Sequence, residues 1–295
     1  MATIRRKVIG NQTYYYLAHT FRKGTKTERR EHYLGKKIPS DIEQVKKEFF
    51  HEMYKERWYP SLDRVKAAYG RELKLTPPSA RTEEREKFAI RFTYDTQRME
   101  GSTLSFKETA DLLERGITPR EKPVRDVKEA EAHNVLFGEV LETKKEPSLQ
   151  LALYWHRRLF LATKTDIAGR IRQHQVLISR SRFVPPSPVE LAPLLYDFFR
   201  WYAREKGRLH PVELAALVHL RFVTIHPFSD GNGRMSRLLM NFVLHRHRYP
   251  LLNIPYTGRN SYYSALERSQ TKKQEHIFVQ WLIKRYLREY ARFLG

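Results

Sequence analysis

The chain has 295 residues, of which 41% are hydrophobic, so it can bury the core of more than one small globular domain. It contains no cysteine, which excludes disulfides, thiolate zinc sites and a thiol nucleophile. No apolar run approaches bilayer length, and no apolar stretch follows the charged N-terminus, so we expect a cytoplasmic protein with no membrane partner. The formal net charge of +22 favours polyanionic ligands such as nucleic acid or nucleotide phosphates.

The first 38 residues differ from the rest of the chain and predict a three-stranded antiparallel meander. The runs that read as strands cover residues 1–10, 13–21 and 31–34, where apolar and polar residues alternate or β-branched and aromatic residues dominate. The joints Gly10-Asn11 and Lys23-Gly24 are turn signals. A small sheet is therefore expected at the start of the chain.

A helix should follow this meander, because Ser40 and Glu43 have the spacing of a capping box, and it should end near Arg57. Together the two parts predict a small basic α/β domain over residues 1–75. Ten basic side chains stand against two glutamates in the meander: Arg5, Arg6, Lys7, Arg22, Lys23, Lys26, Arg29, Arg30, Lys36 and Lys37. Their interleaving with tyrosines would suit nucleic acid, although a sheet with a polar face is the favoured interpretation.

The rest of the chain predicts a mainly α-helical domain. Thr76-Pro77-Pro78-Ser79 is typical of a linker, and we place the domain boundary there, which gives a second domain over residues 76–295. Helices are predicted at 82–99, 105–115, 126–143, 147–162, 188–206, 211–225, 233–247, 261–272 and 275–293. Residues 163–186 instead alternate like strands and end at Pro185-Pro186, which predicts a β-hairpin or extended loop between helices.

The densest cluster of functional signals is the segment 225–237, with the sequence IHPFSDGNGRMSR. Pro227 stops the preceding helix, and Gly231 and Gly233 permit backbone conformations closed to other residues. The amides of Gly231, Asn232 and Gly233 can form an anion-binding nest at the positive end of the next helix. This arrangement predicts a phosphate site without a Walker lysine, since the chain has no GxxxxGK[ST] pattern.

Four side chains of this segment supply the remaining chemistry. Arg234 and Arg237 lie three residues apart and project from one helix face, where guanidinium groups suit phosphate oxygens. Asp230 offers an anionic oxygen to Mg²⁺ beside the phosphates. His226, at the entrance of the loop, can accept a proton from an incoming hydroxyl near neutral pH.

The segment HPFSDGNGRMSR resembles the Fic-family signature HxFx[DE]GN[GK]RxxR at every fixed position. The resemblance implies a compact helical bundle that transfers AMP from ATP to Ser, Thr or Tyr hydroxyls of a target protein. It implies His226 as general base, Phe228 as the buried anchor of the loop and Asp230 as the Mg²⁺ ligand. It also implies that Asn232 and the loop amides hold the phosphates and that Arg234 and Arg237 contact the β- and γ-phosphates.

The resemblance extends over roughly residues 90–290. The insertion 167–186 is similar to the family's flap, which pairs with the target as an added strand, and Arg172, Gln175 and Val176 match its pattern. The stretch 259–266 resembles the element beside the adenine. It implies Tyr262 and Tyr263 as walls of the base site, with an ordinary core position for one of the two.

Residues 96–101, TQRMEG, resemble the family's inhibitory pattern [ST]xxxE[GN] at the end of a helix over about 88–101. Thr96 and Glu100 share a helix face, and Gly101 is a natural helix stop. The resemblance implies that Glu100 pairs with Arg237 and so prevents productive ATP binding. In some family members the matching glutamate instead helps to remove AMP, so a bifunctional switch remains an alternative.

Other functions remain open from the sequence. A Doc-like phosphotransferase would use the γ-phosphate, but those relatives usually have Lys where Gly233 stands, and Gly233 with Arg234 favours AMP transfer. A DNA-binding regulator carrying a Fic domain is supported by the basic residues 1–75, although they contain no helix-turn-helix signature. A degenerate pseudo-enzyme is disfavoured because no signature residue is missing. The expected partners are a target protein, the chain itself through self-modification, and a second copy in a homodimer.

Overall fold

The computed structural model describes residues 2–23, 26–179 and 181–295. By its internal contacts the chain divides into two compact units, Met1–Ser61 and Leu62–Gly295. The domain boundary that the sequence predicts near residue 76 concerns which parts of the chain fold independently, and it stays a prediction. Within the described ranges, no helix is both long enough and apolar enough to span a lipid bilayer.

The first unit contains the expected meander, whose strands run in the order β1-β2-β3. The strands are β1 (Ala2–Ile9), β2 (Gln12–Lys23) and β3 (Lys26–Gly35), and both pairs are antiparallel. The first turn has Gly10 at φ +59, a left-handed conformation that favours glycine. Of the second predicted turn, Gly24 lies outside the described residues.

Helix α1 (Ile42–Arg57) covers one face of this sheet. Leu17 of β2 is buried, and the ring of His19 lies 5.1 Å from that of Phe50 on α1. The predicted capping box is wrong: Asp41, and not Ser40, is the N-cap residue, and it makes no side-chain capping bond. Helix formation here depends instead on burying the apolar side of α1 against the sheet.

The rest of the chain is helical, as predicted. The helices are α2 (Tyr59–Leu75), α3 (Pro78–Met99), α4 (Phe106–Arg115), α5 (Val124–Glu142), α6 (Leu149–Phe160), α7 (Pro188–Glu205), α8 (Pro211–Ile225), α9 (Asn232–Arg246), α10 (Arg259–Thr271) and α11 (Glu275–Glu289). Two 3-10 turns cover Tyr256–Gly258 and Ala291–Phe293. The sequence patterns do not predict α2, and they place the start of α3 at residue 82, because Thr76-Pro77-Pro78-Ser79 is typical of a linker. Helix α3 instead begins at Pro78, which lies in its first turn, where the missing N–H costs nothing.

The centre of the helical unit is the pair α8 and α9. Almost every residue of α8 is buried, and α9 is buried nearly without interruption from Asn232 to Leu244. A helix with apolar residues on all faces belongs in a core. The loop that joins these two helices, residues 226–231, is therefore held at both ends by the most buried elements of the fold.

The flap is not a β-hairpin. Residues 163–179 and 181–186 contain turns and extended chain but no paired strand, so the alternative of an extended loop is correct. Buried Arg172 explains the difference, because its guanidinium binds the carbonyls of His174 and Pro186 and thereby takes acceptors that a strand ladder would use. Pro185 and Pro186 also lack the N–H donors that a ladder needs.

Candidate active site

The loop between α8 and α9 is shaped by its own side chains. His226 ends α8 in the left-handed region, at φ 54, and Gly231 precedes α9 at φ +81. The side chain of Asn232 brackets the backbone of Phe228: its Oδ1 accepts the Phe228 N–H at 2.9 Å and its Nδ2 donates to the Phe228 carbonyl at 2.7 Å. The side chain of Asn232 therefore braces the loop and is not aimed at a phosphate. Its backbone amide, with that of Gly233, lies in the first turn of α9, where N–H groups lack helical partners.

Phe228 is buried, as the resemblance implied, and it anchors the loop against a histidine that the sequence analysis missed. Its ring stacks on His156 of α6 with centroids 3.8 Å apart and planes at 12°. His156 Nδ1 accepts the N–H of Gly169 at the base of the flap, and its Nε2 donates to the Asp230 carbonyl at 3.0 Å. Burial lowers the pKa of His156 to about 4, so the ring is neutral and ties the flap to the loop.

His226 is placed to act as a base. Its Nδ1 lies 3.2 Å from the carbonyl of Val223, to which only a protonated Nδ1 can donate. The proton of the neutral ring is thus fixed on Nδ1, and Nε2 keeps its lone pair. Burial lowers the pKa of His226 and outweighs the opposing hydrogen bond to Val223. The imidazole is therefore neutral near pH 7 and ready to accept a proton at Nε2.

Asp230 carries the charge that a metal site would need. Burial alone would raise its pKa, but the positive charges of Arg234 and Lys164 outweigh burial and lower it to about 2. Its Oδ1 accepts from Arg234 Nη2 at 3.0 Å and from the Gly231 N–H at 2.5 Å, while Lys164 Nζ binds Oδ2. No cluster of three His, Asp or Glu side chains within the described ranges could hold a metal alone. One ionised, one-third exposed carboxylate nevertheless fits Mg²⁺, which takes few protein carboxylates and completes its shell with phosphates and water.

The guanidinium of Arg234 is hydrogen-bonded to neighbouring side chains. It is buried, binds Glu129 of α5 through Nη1, and donates to Gln97 Oε1 of α3 at 3.2 Å. Together with the contact to Asp230, these bonds join α3, α5 and the loop. The structure therefore places Arg234 as a support for Asp230, whereas the predicted contact with a phosphate would require it to exchange these partners.

Arg237 is bound by the residues of the inhibitory pattern. Its Nη2 donates to Glu100 Oε1 at 2.6 Å, and its Nε donates to the hydroxyl of Thr96 at 3.1 Å. The Arg237 guanidinium is almost fully buried, while the Glu100 side chain is 25% exposed. The two residues four apart at the end of α3 thus hold one guanidinium from two sides.

The position of Glu100 is fixed by the end of its helix. Gly101 follows it at φ +94, its N–H donates to the Arg98 carbonyl, and the Ser102 N–H donates to the Gln97 carbonyl at 3.0 Å. These two bonds form a Schellman motif, in which glycine is strongly preferred. Gly101 therefore ends α3 at the point where the carboxylate of Glu100 reaches Arg237.

The two tyrosines have different environments. Tyr262 is buried, its hydroxyl lies 2.9 Å from His219 Nε2, and it accepts a long bond from Arg237 Nη1. Tyr263 is 42% exposed and donates to the Met99 carbonyl at the end of α3. Tyr262 is thus part of the core, and Tyr263 is the one of the two whose ring is accessible to an adenine base.

Of the three predicted flap residues, Arg172 and Gln175 use their side chains to hold the flap backbone. Buried Arg172 donates from Nε to the His226 carbonyl at 2.9 Å, so it also holds the start of the catalytic loop. Gln175 spans the flap and donates to the Pro185 carbonyl at 3.0 Å. Val176 is partly exposed, and Leu177 beside it is 78% exposed. Leu177 and Val184, which is 61% exposed, are apolar side chains of the flap that a target could contact.

Three residues of the site, Lys164, Glu129 and His156, are not indicated by any sequence motif. Lys164 and His156 reach Asp230 across 66 and 74 residues, and Glu129 reaches Arg234 across 105. None of them belongs to a local motif. For Glu129 and His156 the one sequence signal is a titratable side chain within a predicted helix, a pattern that many structural residues share, and Lys164 lies outside the helices without such a signal.

The site resembles those of known proteins. Residues 146–244 match the Fic/DOC family. Over 184 residues the chain is 37% identical to the protein adenylyltransferase Fic of Drosophila ananassae, covering 59% of this chain and 35% of that protein. Over 216 residues it is 33% identical to protein adenylyltransferase fic-1 of Caenorhabditis elegans, covering 69% of this chain and 41% of that protein. The chain thus spans well under half the length of these relatives.

Solved structures show the same fold. A Fic domain containing signaling protein from Bacteroides thetaiotaomicron superimposes with a TM-score of 0.70 at 28% identity, over 79% of this chain and 95% of that one. Fic-1 of C. elegans (residues 134–508) does so with a TM-score of 0.69 at 27% identity, over 89% of this chain and 78% of that one. With the loop geometry described above, these likenesses show that the chain carries a Fic domain, which the match to the Fic/DOC family places at residues 146–244.

Proposed function

We propose that the protein transfers AMP from ATP to a hydroxyl side chain of a target protein and that Glu100 holds this activity in check. The observation that carries the proposal is the geometry of the loop 226–231. It places the neutral imidazole of His226 and the ionised carboxylate of Asp230 beside the first turn of the buried helix α9. The names of the Drosophila and Caenorhabditis relatives support the same activity. The proposal concerns the segment that this chain shares with them.

In the proposed reaction the target hydroxyl oxygen attacks the α-phosphorus of ATP. A bond forms between that oxygen and phosphorus, the bond to the β-phosphate oxygen breaks, and pyrophosphate leaves. The hydroxyl proton passes to Nε2 of His226, whose Nδ1–H remains bound to Val223. Positioning and charge stabilisation supply most of the rate, as in other phosphoryl-type transfers.

The chain's own groups around the phosphates have distinct tasks. The amides of Asn232 and Gly233 at the start of α9 and the guanidinium of Arg237 attract the negative oxygens. Asp230 would hold Mg²⁺, whose chemistry is to shield the phosphate charges. Arg234 and His156 keep Asp230 in place through its side chain and its backbone carbonyl. The cofactors of the proposed reaction are therefore ATP, as donor, and Mg²⁺.

The proposed inhibition follows from the bonds that Glu100 and Thr96 make to the Arg237 guanidinium. While Glu100 binds its Nη2 and Thr96 binds its Nε, the guanidinium has fewer donors left for a phosphate, and a carboxylate stands where phosphate oxygens would approach. Like charges repel in a partly buried site, so ATP would be excluded or would bind in an unproductive pose. Removal of Glu100 should open the site.

Related functions use the same residues and remain predictions. A bifunctional enzyme would use Glu100 to remove AMP, and a Doc-like phosphotransferase would transfer the γ-phosphate. Self-modification, a homodimer that hides α3, a cytoplasmic location and the identity of the target are likewise predictions. Gly233 stands where Doc-like relatives usually have lysine, and this supports AMP transfer over the Doc-like alternative.

The test follows label from ATP to protein. Glu100→Gly and Glu100→Gly/His226→Ala would be incubated with Mg²⁺ and ATP labelled at the α- or the γ-phosphate. We expect α-label on Glu100→Gly and none on the double variant. Label from the γ-position would establish phosphotransfer, and label that persists without His226 would exclude it as the base. Absence of any label, on the chain and on added lysate proteins, would contradict the proposal.

A further inference from the structure

The N-terminal sheet has one face that its own helix does not cover. Residues paired across antiparallel strands share a face, so Arg5, Tyr16 and Tyr33 lie together, as do Lys7 and Tyr14. The opposite face packs on α1 through Leu17 and its neighbours. We call the face that α1 does not cover the outer face. It is formed by Arg5, Lys7, Tyr14, Tyr16, Arg29 and Tyr33.

The outer face is strongly basic. Arg5, Lys7 and Arg29 are exposed, and the acid among them is Glu31, which both Lys7, at 2.8 Å, and Arg29 contact. Within the described strands, no carboxylate pairs with Arg5. Lys7 and Arg29 therefore share one carboxylate while Arg5 adds a further positive charge, and the face keeps a net positive charge that an anionic polymer would neutralise.

The tyrosine rings of the outer face contact one another and Lys7. The ring of Tyr33 lies 5.2 Å from that of Tyr16 and 6.3 Å from that of Tyr14, in tilted contacts. Lys7 Nζ lies 4.4 Å above the centroid of Tyr16. Single-stranded nucleic acid is held by bases that stack on open aromatic faces. Lys7 lies over the ring of Tyr16, and Tyr33, at 52% exposed, is the most open of the three rings, so cations outnumber open stacking sites and the outer face is better suited to phosphates.

The charge density of the ligand agrees with this face. Duplex DNA carries about one negative charge per 1.7 Å of helix axis, twice that of either of its strands, so a duplex offers the cations more phosphates. We propose that the outer face of the N-terminal sheet binds duplex DNA, mainly through its phosphates, as a function separate from the transfer reaction.

The test measures binding of the full chain to a short mixed-sequence duplex, and to one of its single strands, over a range of salt concentrations without ATP. Removing one cation that binds a phosphate should reduce the magnitude of the slope of log Kobs against log salt by about 0.9. We expect a reduction of about 0.9 for Arg5→Gln, which breaks no ion pair in the described strands, and of about 1.8 for Arg5→Gln/Lys7→Gln.

Lys107→Gln/Lys128→Gln is the matched control, because it removes the same charge from exposed positions of the helical unit. This variant should leave the slope within about 0.3 of wild type, since its lysines lie outside the proposed binding face. An equal reduction in both double variants, tighter binding of the single strand, or no binding at low salt would each overturn the proposal. None of these readouts depends on nucleotide transfer, so this proposal can fail while the proposed enzymatic function stands.

Discussion

Gly233 and Glu100 are complementary in space: the Oε1 atom of Glu100 lies closer to the position of a Cβ on residue 233 than real Cβ contacts allow. The Arg237 guanidinium lies 3.0 Å from the same position. The glycine at the start of α9 therefore makes room for the inhibitory ion pair. This relationship links the phosphate loop to the end of α3 and gives the first prediction.

Gly233→Ala should weaken the inhibition. Residue 233 is not in the left-handed region, so alanine is opposed only by the contact with Glu100 and Arg237. We expect the flexible Glu100 side chain to move away and α-label incorporation to rise above wild type but to stay below Glu100→Gly. In the Glu100→Gly background the alanine should give no further rise, because the residue that it displaces is absent. A second rise there would show that the effect does not pass through Glu100.

The pH dependence should report the lowered pKa of His226. A general base works in its neutral form, and burial keeps this imidazole neutral to lower pH than an ordinary histidine. In a profile of kcat/KM for Glu100→Gly, we expect the acid limb to have its midpoint below about 6.5. A midpoint at or above that value would contradict the assignment of the buried His226 as the base.

Lys164 should compete with the metal at Asp230. Its Nζ binds the Oδ2 atom that Mg²⁺ would use, so replacing the charge should free that oxygen. We expect Lys164→Met to bind Mn²⁺ at least about threefold more tightly in the presence of a non-hydrolysable ATP analogue, a gain of about 0.7 kcal/mol. The free Mn²⁺ signal in electron paramagnetic resonance gives the affinity.

Lys107→Met is the control for Lys164→Met, since it removes an exposed lysine away from the site. It should leave Mn²⁺ affinity unchanged. Weaker Mn²⁺ binding in Lys164→Met would show that this lysine assists the phosphates and does not compete with the cation.

His156 should stabilise the site through its two hydrogen bonds. His156→Phe keeps an aromatic ring against Phe228 but leaves the Gly169 N–H and the Asp230 carbonyl without this partner. Each unmet group costs about 1–3 kcal/mol, so the free energy of unfolding, measured by urea titration, should fall by about 2–6 kcal/mol. Tyr154→Phe, which loses one exposed hydrogen bond on the same helix, should change it by less than about 0.5 kcal/mol. Equal effects in the two variants would contradict the role of His156.

The sequence predicted those parts of the structure that local patterns determine. The meander, most helices and the loop 226–231 follow from alternation, periodicity and the positions of glycine and proline. The pairing of Glu100 with Arg237 was expected from the family pattern, and the structure has that ion pair. The flap was predicted less well, because the side chain of Arg172 binds carbonyls that no local rule assigns to it.

The network behind the loop could not be predicted, because it is made by contacts between distant parts of the chain. Asn232 and Arg234 occupy signature positions, yet their side chains bind Phe228 and Glu129, and the signature alone does not show which partner they have. Lys164 reaches Asp230 from a segment without any motif. Such contacts depend on how α5, α6 and α9 pack, which periodicity does not specify.

The central claim is that the ion pair of Glu100 and Arg237 prevents transfer, and the most direct test is the initial rate of α-label incorporation by wild type and by Glu100→Gly. Both would be measured at one protein concentration with saturating Mg²⁺ and ATP. We predict a rate more than about tenfold higher for Glu100→Gly, equivalent to at least about 1.4 kcal/mol of relieved inhibition. Equal rates, with the ion pair removed, would contradict the account.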